Sequence, residues 1–148
     1  MSEKLHEKLH GYYLEDLEVG MSHSYAKTVT ETDIILLAAV SGDDNPIHIN
    51  EEFAAETSFK KRIVHGIFGS SLISCVAGTR LPGPGCIFVD HHLRFKAPVF
   101  IGDTVTATCI IKEIVAERRR VVMETICTVK GKVVAEGEST FLVDRRSS

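Results

Sequence analysis

No two of the four cysteines, Cys75, Cys86, Cys109 and Cys127, stand close enough to form a C-x-x-C pair. The chain therefore lacks the usual spacing of a zinc site or a redox dithiol. Each cysteine sits among apolar residues and reads as a small buried hydrophobe, which fits a reducing, cytoplasmic setting. Basic excess is also missing: 17 Lys and Arg stand against 20 Asp and Glu, a net charge of −3 with His neutral. Nucleic-acid-binding domains usually carry a basic surplus, so no nucleic-acid partner is expected. The longest apolar run, Ile34–Val40, falls far short of the roughly 20 residues that cross a bilayer, and no membrane partner is expected. The opening residues MSEKLHEKLHGYY are charged throughout, without the apolar stretch of a secretory signal. No G-x-S-x-G elbow surrounds Ser70, Ser71 or Ser74, which argues against a serine nucleophile. Repeats, low-complexity tracts and linkers are absent.

What remains is a chain of 148 residues, 44% hydrophobic and 25% charged, enough for one domain with a substantial core. Residues 1–11 read as a polar tail and residues 12–148 as the domain. Gly20–Thr30 has the loose alternation of a first strand. Thr30 and Asp33 form a variant capping box before an apolar run, which predicts a helix over Glu31–Ser41. Gly42-Asp43-Asp44-Asn45-Pro46 is dense in turn formers and ends it. Asn50 caps a short helix, Glu51–Thr57, with Phe53 and Ala54 inward. Ile67–Thr79 carries no charge, and a helix apolar or small on all sides is normally surrounded by protein. Leu81-Pro82-Gly83-Pro84-Gly85 stops it.

From Cys86 onward the period changes. Cys86–Lys96, Asp103–Glu117, Arg119–Lys130 and Lys132–Val143 are rich in Val, Ile, Thr and Phe and read as long strands. Val105, Ala107, Cys109 and Ile111 share one face, as do Val121, Met123, Thr125, Cys127 and Val129. Lys130-Gly131 suits a hairpin turn. Short connections between long strands imply an antiparallel sheet. The pattern is α+β: a single hotdog domain, in which a long curved antiparallel sheet wraps a central apolar helix. An open sheet edge invites pairing, so a homodimer or a higher homo-oligomer is expected.

Two segments carry chemistry: SGDDNPIH at Ser41–His48 and IVHGIFGSSLIS at Ile63–Ser74. The first sets a carboxylate, Asp43, and an imidazole, His48, around the rigid Asn45-Pro46 corner. The second sets His65-Gly66 at the head of the uncharged helix. A carboxylate and an imidazole can share a water and exchange protons with it. A backbone N–H at a helix N-terminus can polarise a carbonyl, and glycine there lets the carbonyl approach. On composition alone, Asp43 and Asp44 are also ordinary turn residues, and His48 an exposed position. His65 reads as structural, bonding the loop and holding Gly66. Asp90-His91-His92 looks metal-like, but neighbours on a strand face opposite ways, so no metal is expected. Arg118-Arg119-Arg120 reads as a solvated turn or a contact to nucleotide phosphates, with Arg94 and Lys96 similarly placed. Ile67, Phe68, Leu72 and Phe88 are the residues expected to set pocket depth.

GDDNPIHINEEFA, IVHGIFGSSLIS and FKAPVFIGD at Phe95–Asp103 together resemble the MaoC-like (R)-specific enoyl-CoA hydratases. The similarity runs from about Tyr12 to Val143. It implies a hotdog dimer that reversibly adds water across trans-2-enoyl-CoA to give (R)-3-hydroxyacyl-CoA, with the thioester as substrate and no cofactor. It places the catalytic Asp on Asp43, the catalytic His on His48, the oxyanion-hole glycine on Gly66 and an orienting serine on Ser74, with Asn45 and His65 supporting the site. Asn50 departs from the pattern, since many members carry Asp there. Three rival functions stand beside this one. A (3R)-hydroxyacyl dehydratase acting on acyl carrier protein would use the same chemistry. A hotdog thioesterase commonly needs a carboxylate on or beside the central helix, and Ile67–Thr79 has none. A non-catalytic acyl-thioester-binding module would have no need of the Asp43–His48 pair.

Overall fold

The alternation that begins at Thr104 builds three consecutive antiparallel strands: β3 (Thr104–Val115), β4 (Arg120–Val129) and β5 (Lys132–Leu142). The computed structural model describes residues 4–146; the first three residues of the expected tail and the last two of the expected domain lie outside the described residues. Earlier in the chain come α1 (Leu5–Leu9), β1 (Ser22–Thr28), α2 (Glu31–Ser41), α3 (Pro46–Ile49), α4 (Glu51–Glu56), α5 (Ile67–Thr79) and β2 (Ile87–Phe95). The five strands form one sheet in the order β1-β3-β4-β5-β2, every neighbouring pair antiparallel. Helix α5 lies across it, and the arrangement is the hotdog.

Period-2 alternation places side chains on the helix side. Val105, Ala107, Cys109 and Ile111 of β3 are at most 1% exposed. From β4, Val121, Met123, Thr125 and Cys127 are fully buried, with Val129 packed at the margin. Against them α5 sets Phe68, Leu72, Ile73, Val76 and Ala77. Lys130 and Gly131 both take positive φ, the geometry of a tight hairpin whose twist matches the strands it joins. The box before α2 forms as expected: Asp33 N–H donates to Thr30 Oγ1 at 3.2 Å and Thr30 N–H to Asp33 Oδ2 at 2.9 Å.

Several expectations change. Helix α5 is covered on its sheet side only; Ile67, Ser71 and Ser74 on the other side are exposed. Phe53 does not accompany Ala54 inward: Ala54 is fully buried and Phe53 is 47% exposed, since neighbours on a helix point about 100° apart. Cys109 and Cys127 are buried, whereas Cys75 and Cys86 are only half-buried. Burial without a compensating charge pushes the Cys109 thiol up to about 12 and that of Cys127 to about 11, which removes their nucleophilic form. The turn after Asp44 contains a helix the composition concealed: Asn45 Oδ1 accepts from Ile47 N–H at 3.1 Å with Pro46 behind it, and α3 forms. Among the described residues no helix is long and apolar enough to cross a membrane.

Candidate active site

Helix α2 stops at Gly42, whose left-handed backbone (φ 78) turns the chain back. Side-chain bonds then hold the loop. Asp43 N–H donates to Ser41 Oγ at 3.1 Å, and Asn45 N–H to Asp43 Oδ1 at 3.3 Å. Asn45 thus acts as the cap of α3, and α3 carries His48 inward until only 8% of it is exposed. His48 Nδ1 lies 2.7 Å from the carbonyl oxygen of Ile63. A carbonyl can only accept, so Nδ1 bears the proton and the neutral ring keeps its lone pair on Nε2. That lone pair faces Asp43 Oδ2 at 3.9 Å, too far for a direct hydrogen bond and a span that one bridging water fits.

His65 ties the two segments together. Its ring stacks on that of His48, centroids 3.9 Å apart, and its Nε2–H donates to the Asp43 carbonyl at 2.9 Å. Its Nδ1 is buried with no hydrogen-bond partner among the described residues. Asp43, His48 and His65 each offer a donor atom within 4.8 Å of the others. His65 was expected to bond the loop and hold Gly66; the side-chain bond observed is to the Asp43 carbonyl.

Beside this cluster opens a cavity of about 390 Å³. His48, His65 and Gly66 border it, and Phe68, Phe95 and Val134 are among its apolar walls. Gly66 is exposed and opens α5. Among the described residues neither its N–H nor that of Ile67 donates to a protein acceptor, so two amides at the positive end of a 13-residue helix stand free. A Cβ on Gly66 would lie 3.1 Å from the Phe95 ring; glycine keeps the ring and the amide close enough to share the wall.

The other expected residues are distributed as follows. Asp43 stands at the rim, its side chain 49% exposed, and does not line the cavity. Ser74 lies two turns along α5 from Gly66, on the exposed side. Of the four depth residues only Phe68 lines the cavity. Lys96 borders it, paired with Glu136 at 3.2 Å, while Arg94 and His92 line a charged groove elsewhere. His91 points the other way from His92, bonded to Ser139 Oγ at 2.8 Å and Ser70 Oγ at 3.0 Å, and burial lowers its pKa.

Arg62 was not singled out by the sequence. Its guanidinium bonds Glu31 on α2, Glu51 on α4 at 2.9 Å and the His48 carbonyl at 3.4 Å, and so braces the helix that carries His48. A charge in a run of basic residues, KKR, offers no local signal of this; the three partners lie 11 to 31 positions away.

Residues 16–136 match the family model described as a MaoC like domain. An (R)-specific enoyl-CoA hydratase from Rhodospirillum rubrum is 54% identical over 135 residues, 91% of this chain and 94% of that protein. A 3-hydroxybutyryl-CoA dehydratase from Methylorubrum extorquens is 44% identical over 90% of this chain and 85% of its own. The solved structure of an (R)-hydratase from Pseudomonas aeruginosa, unliganded, superposes with a TM-score of 0.86 at 39% identity, covering 92% of this chain and 88% of that one.

Proposed function

The chain belongs to the MaoC-like domain family, and from that premise we propose that it is a hydro-lyase that adds water reversibly across a trans-2-enoyl-CoA to give the (R)-3-hydroxyacyl-CoA. The carrying observation is the 3.9 Å gap between the His48 Nε2 lone pair and Asp43 Oδ2, at a cavity whose wall presents the free Gly66 amide.

A water in that gap donates one hydrogen bond to each acceptor and keeps its oxygen lone pair for the substrate. The acyl chain enters the apolar cavity and the thioester oxygen meets the Gly66 N–H. The water oxygen bonds to Cβ as one of the pair takes its proton. The Cα=Cβ electron pair moves toward the thioester, and the charge gathers on the oxygen that Gly66 holds; one such donor is worth about 3–4 kcal/mol in other oxyanion holes. The enolate then takes a proton at Cα from the same pair, which returns to its starting state. Carbon oxidation is unchanged overall, so acid–base groups suffice and no redox cofactor enters. His65, Asn45 and Arg62 position the pair.

Asp43 is half-exposed, and α5 and the edge strand β2 leave Ile67, Ile87, Val89 and Phe95 between 47% and 58% exposed. A second copy paired along β2 would continue the sheet and cover these groups together with Ser74. We read the working form as this homodimer. Four free cysteines suit a reducing cytoplasm.

One preparation tests the reading. Sedimentation should give twice the chain mass. Crotonyl-CoA and longer enoyl-CoAs should lose their enoyl absorbance without releasing thiol, and chiral analysis should return the (R) alcohol. Free thiol without hydration would favour a thioesterase, binding without turnover a carrier module, and turnover only of carrier-protein-linked substrate the acyl-carrier-protein dehydratase.

A further inference from the structure

A second imidazole–carboxylate cluster lies where α1 meets the segment after β5. His6 and His10 are four positions apart, so both point to one side of a helical turn. Asp144 reaches them from the other end of the chain. Each of the three offers a donor atom within 4.8 Å of the others.

His10 is the informative member. Its side chain is 2% exposed. Its Nδ1 lies 3.0 Å from the Gly11 carbonyl oxygen, so Nδ1 carries the proton and Nε2 of the neutral ring is an acceptor. That Nε2 is buried with no hydrogen-bond partner among the described residues. It faces Asp144 Oδ2, another acceptor, at 3.7 Å. A charge-assisted hydrogen bond would close to about 2.7–2.9 Å. Two ligands bound to one ion at about 2.0–2.2 Å with a tetrahedral angle sit about 3.3–3.6 Å apart. The observed 3.7 Å lies well beyond a hydrogen bond and about 0.1 Å beyond the ligand–ligand range, so a small closure of the two groups would seat an ion.

The surroundings hold this arrangement. The His10 ring stacks on Tyr13, 4.0 Å between centroids and 3° from parallel. Asp144 Oδ1 accepts from Arg119 Nη1 at 3.3 Å and its carbonyl accepts from Leu14 N–H at 2.9 Å, leaving Oδ2 for the cluster. Gly85 closes over the ring: a Cβ there would fall 2.4 Å from His10 Nε2. His6 is exposed, which leaves an entry path and a position for water.

We propose that His6, His10 and Asp144 bind one divalent transition-metal ion, with zinc the best match to two imidazoles and a carboxylate, and that the ion fastens the N-terminal helix to the segment after β5. Nitrogen donors select this class over calcium or magnesium. The sequence offered no metal motif because the third ligand lies 134 positions beyond His10 (144 − 10). This proposal departs from the expectation of no metal site; the metal has no part in the hydration proposed above.

The test uses the untagged full chain, stripped with chelator and titrated with Zn²⁺, and in parallel with Co²⁺. One ion per chain should bind, Tm should rise with Zn²⁺ by mass action, and the Co²⁺ spectrum should lack a thiolate band. His6→Ala, at an exposed position, should fold with unchanged metal-free Tm and lose affinity by at least about tenfold, as removal of even an outer-shell partner does; Asp144→Asn, which keeps the Arg119 contact, should do the same. Absence of binding, binding unaffected by His6→Ala, binding lost in Asp43→Asn instead, or a thiolate band would each overturn the proposal.

Discussion

The two imidazole–carboxylate clusters use the same parts and differ in what surrounds them. In each, a backbone carbonyl accepts a hydrogen bond from the Nδ1–H of one histidine, Ile63 for His48 and Gly11 for His10. In each, the opposite nitrogen faces a carboxylate oxygen beyond hydrogen-bond reach, at 3.9 Å and 3.7 Å. Beside His48 there is an apolar cavity and a free helix-terminal amide; a lone pair there can work on a bound molecule. Each cluster also holds a second imidazole, His65 and His6, but beside His10 Gly85 and a stacked tyrosine close over the ring, and among the described residues its lone pair faces no cavity of the kind that borders His48. In the two proposals, donor identity does not separate a reaction site from a fastening site. The space and the unpaired backbone next to the donors do.

Breaking the first cluster should have the largest effect. Asp43→Asn and His48→Gln remove one acceptor each from the water position, and enoyl-CoA hydration should fall about 10²–10⁴-fold in either. Zn²⁺ binding should be untouched. Near wild-type turnover in either variant removes the proton-sharing reading. Gly66→Ala sharpens the role of space. The helical backbone accepts alanine, and the exposed Phe95 ring can yield the few tenths of an ångström its 3.1 Å contact demands. The fold should survive while kcat drops on the order of tenfold, since small displacements of positioned groups are costly. An unchanged rate would take the oxyanion contact away from this amide.

Arg62→Ala gives the smallest effect and tests positioning without contact to substrate. Removing its bonds to Glu31, Glu51 and the His48 carbonyl should cost about 1–2 kcal/mol, once the exposure of both carboxylates is discounted. Hydrogen bonding from Arg62 lowers the Glu31 pKa in the folded chain. A folded pKa below the unfolded one adds stability above the ordinary carboxylate range and loses it as pH falls through the folded value. The Tm gap between wild type and variant should be full at neutral pH and close below about pH 4. A gap that persists in acid would mean that packing of the arginine stem or its bond to the His48 carbonyl, not the ion pairs, supplies the stability.

Where local pattern governs, the sequence was readable. The Thr30–Asp33 box starts α2, the uncharged stretch becomes α5, and the alternation from Thr104 places Val105 through Ile111 on the core side. The Asp43–His48 and His65-Gly66 segments were legible because each lies within a few residues and carries its own turn chemistry. Phe53, the open face of α5, the bracing by Arg62 and the shape of the cavity were not, because each depends on partners far along the chain. Ile67, Leu72 and Phe88 were expected to set pocket depth; Phe95 and Val134 line the cavity instead, brought there by the order of strands in the sheet.

By itself the sequence determined the elements, their inward faces and the residue types available for acid–base work, since these follow from periodicity, capping and turn preference within a short window. Only the tertiary structure decided which imidazole nitrogen is free, which carboxylate it faces and whether a cavity or a packed glycine lies beyond it. Those depend on the Ile63 and Gly11 carbonyls and on the meeting of residues 6–10 with residue 144. Contacts between distant positions come from packing the sheet and helices together, and no local pattern encodes them.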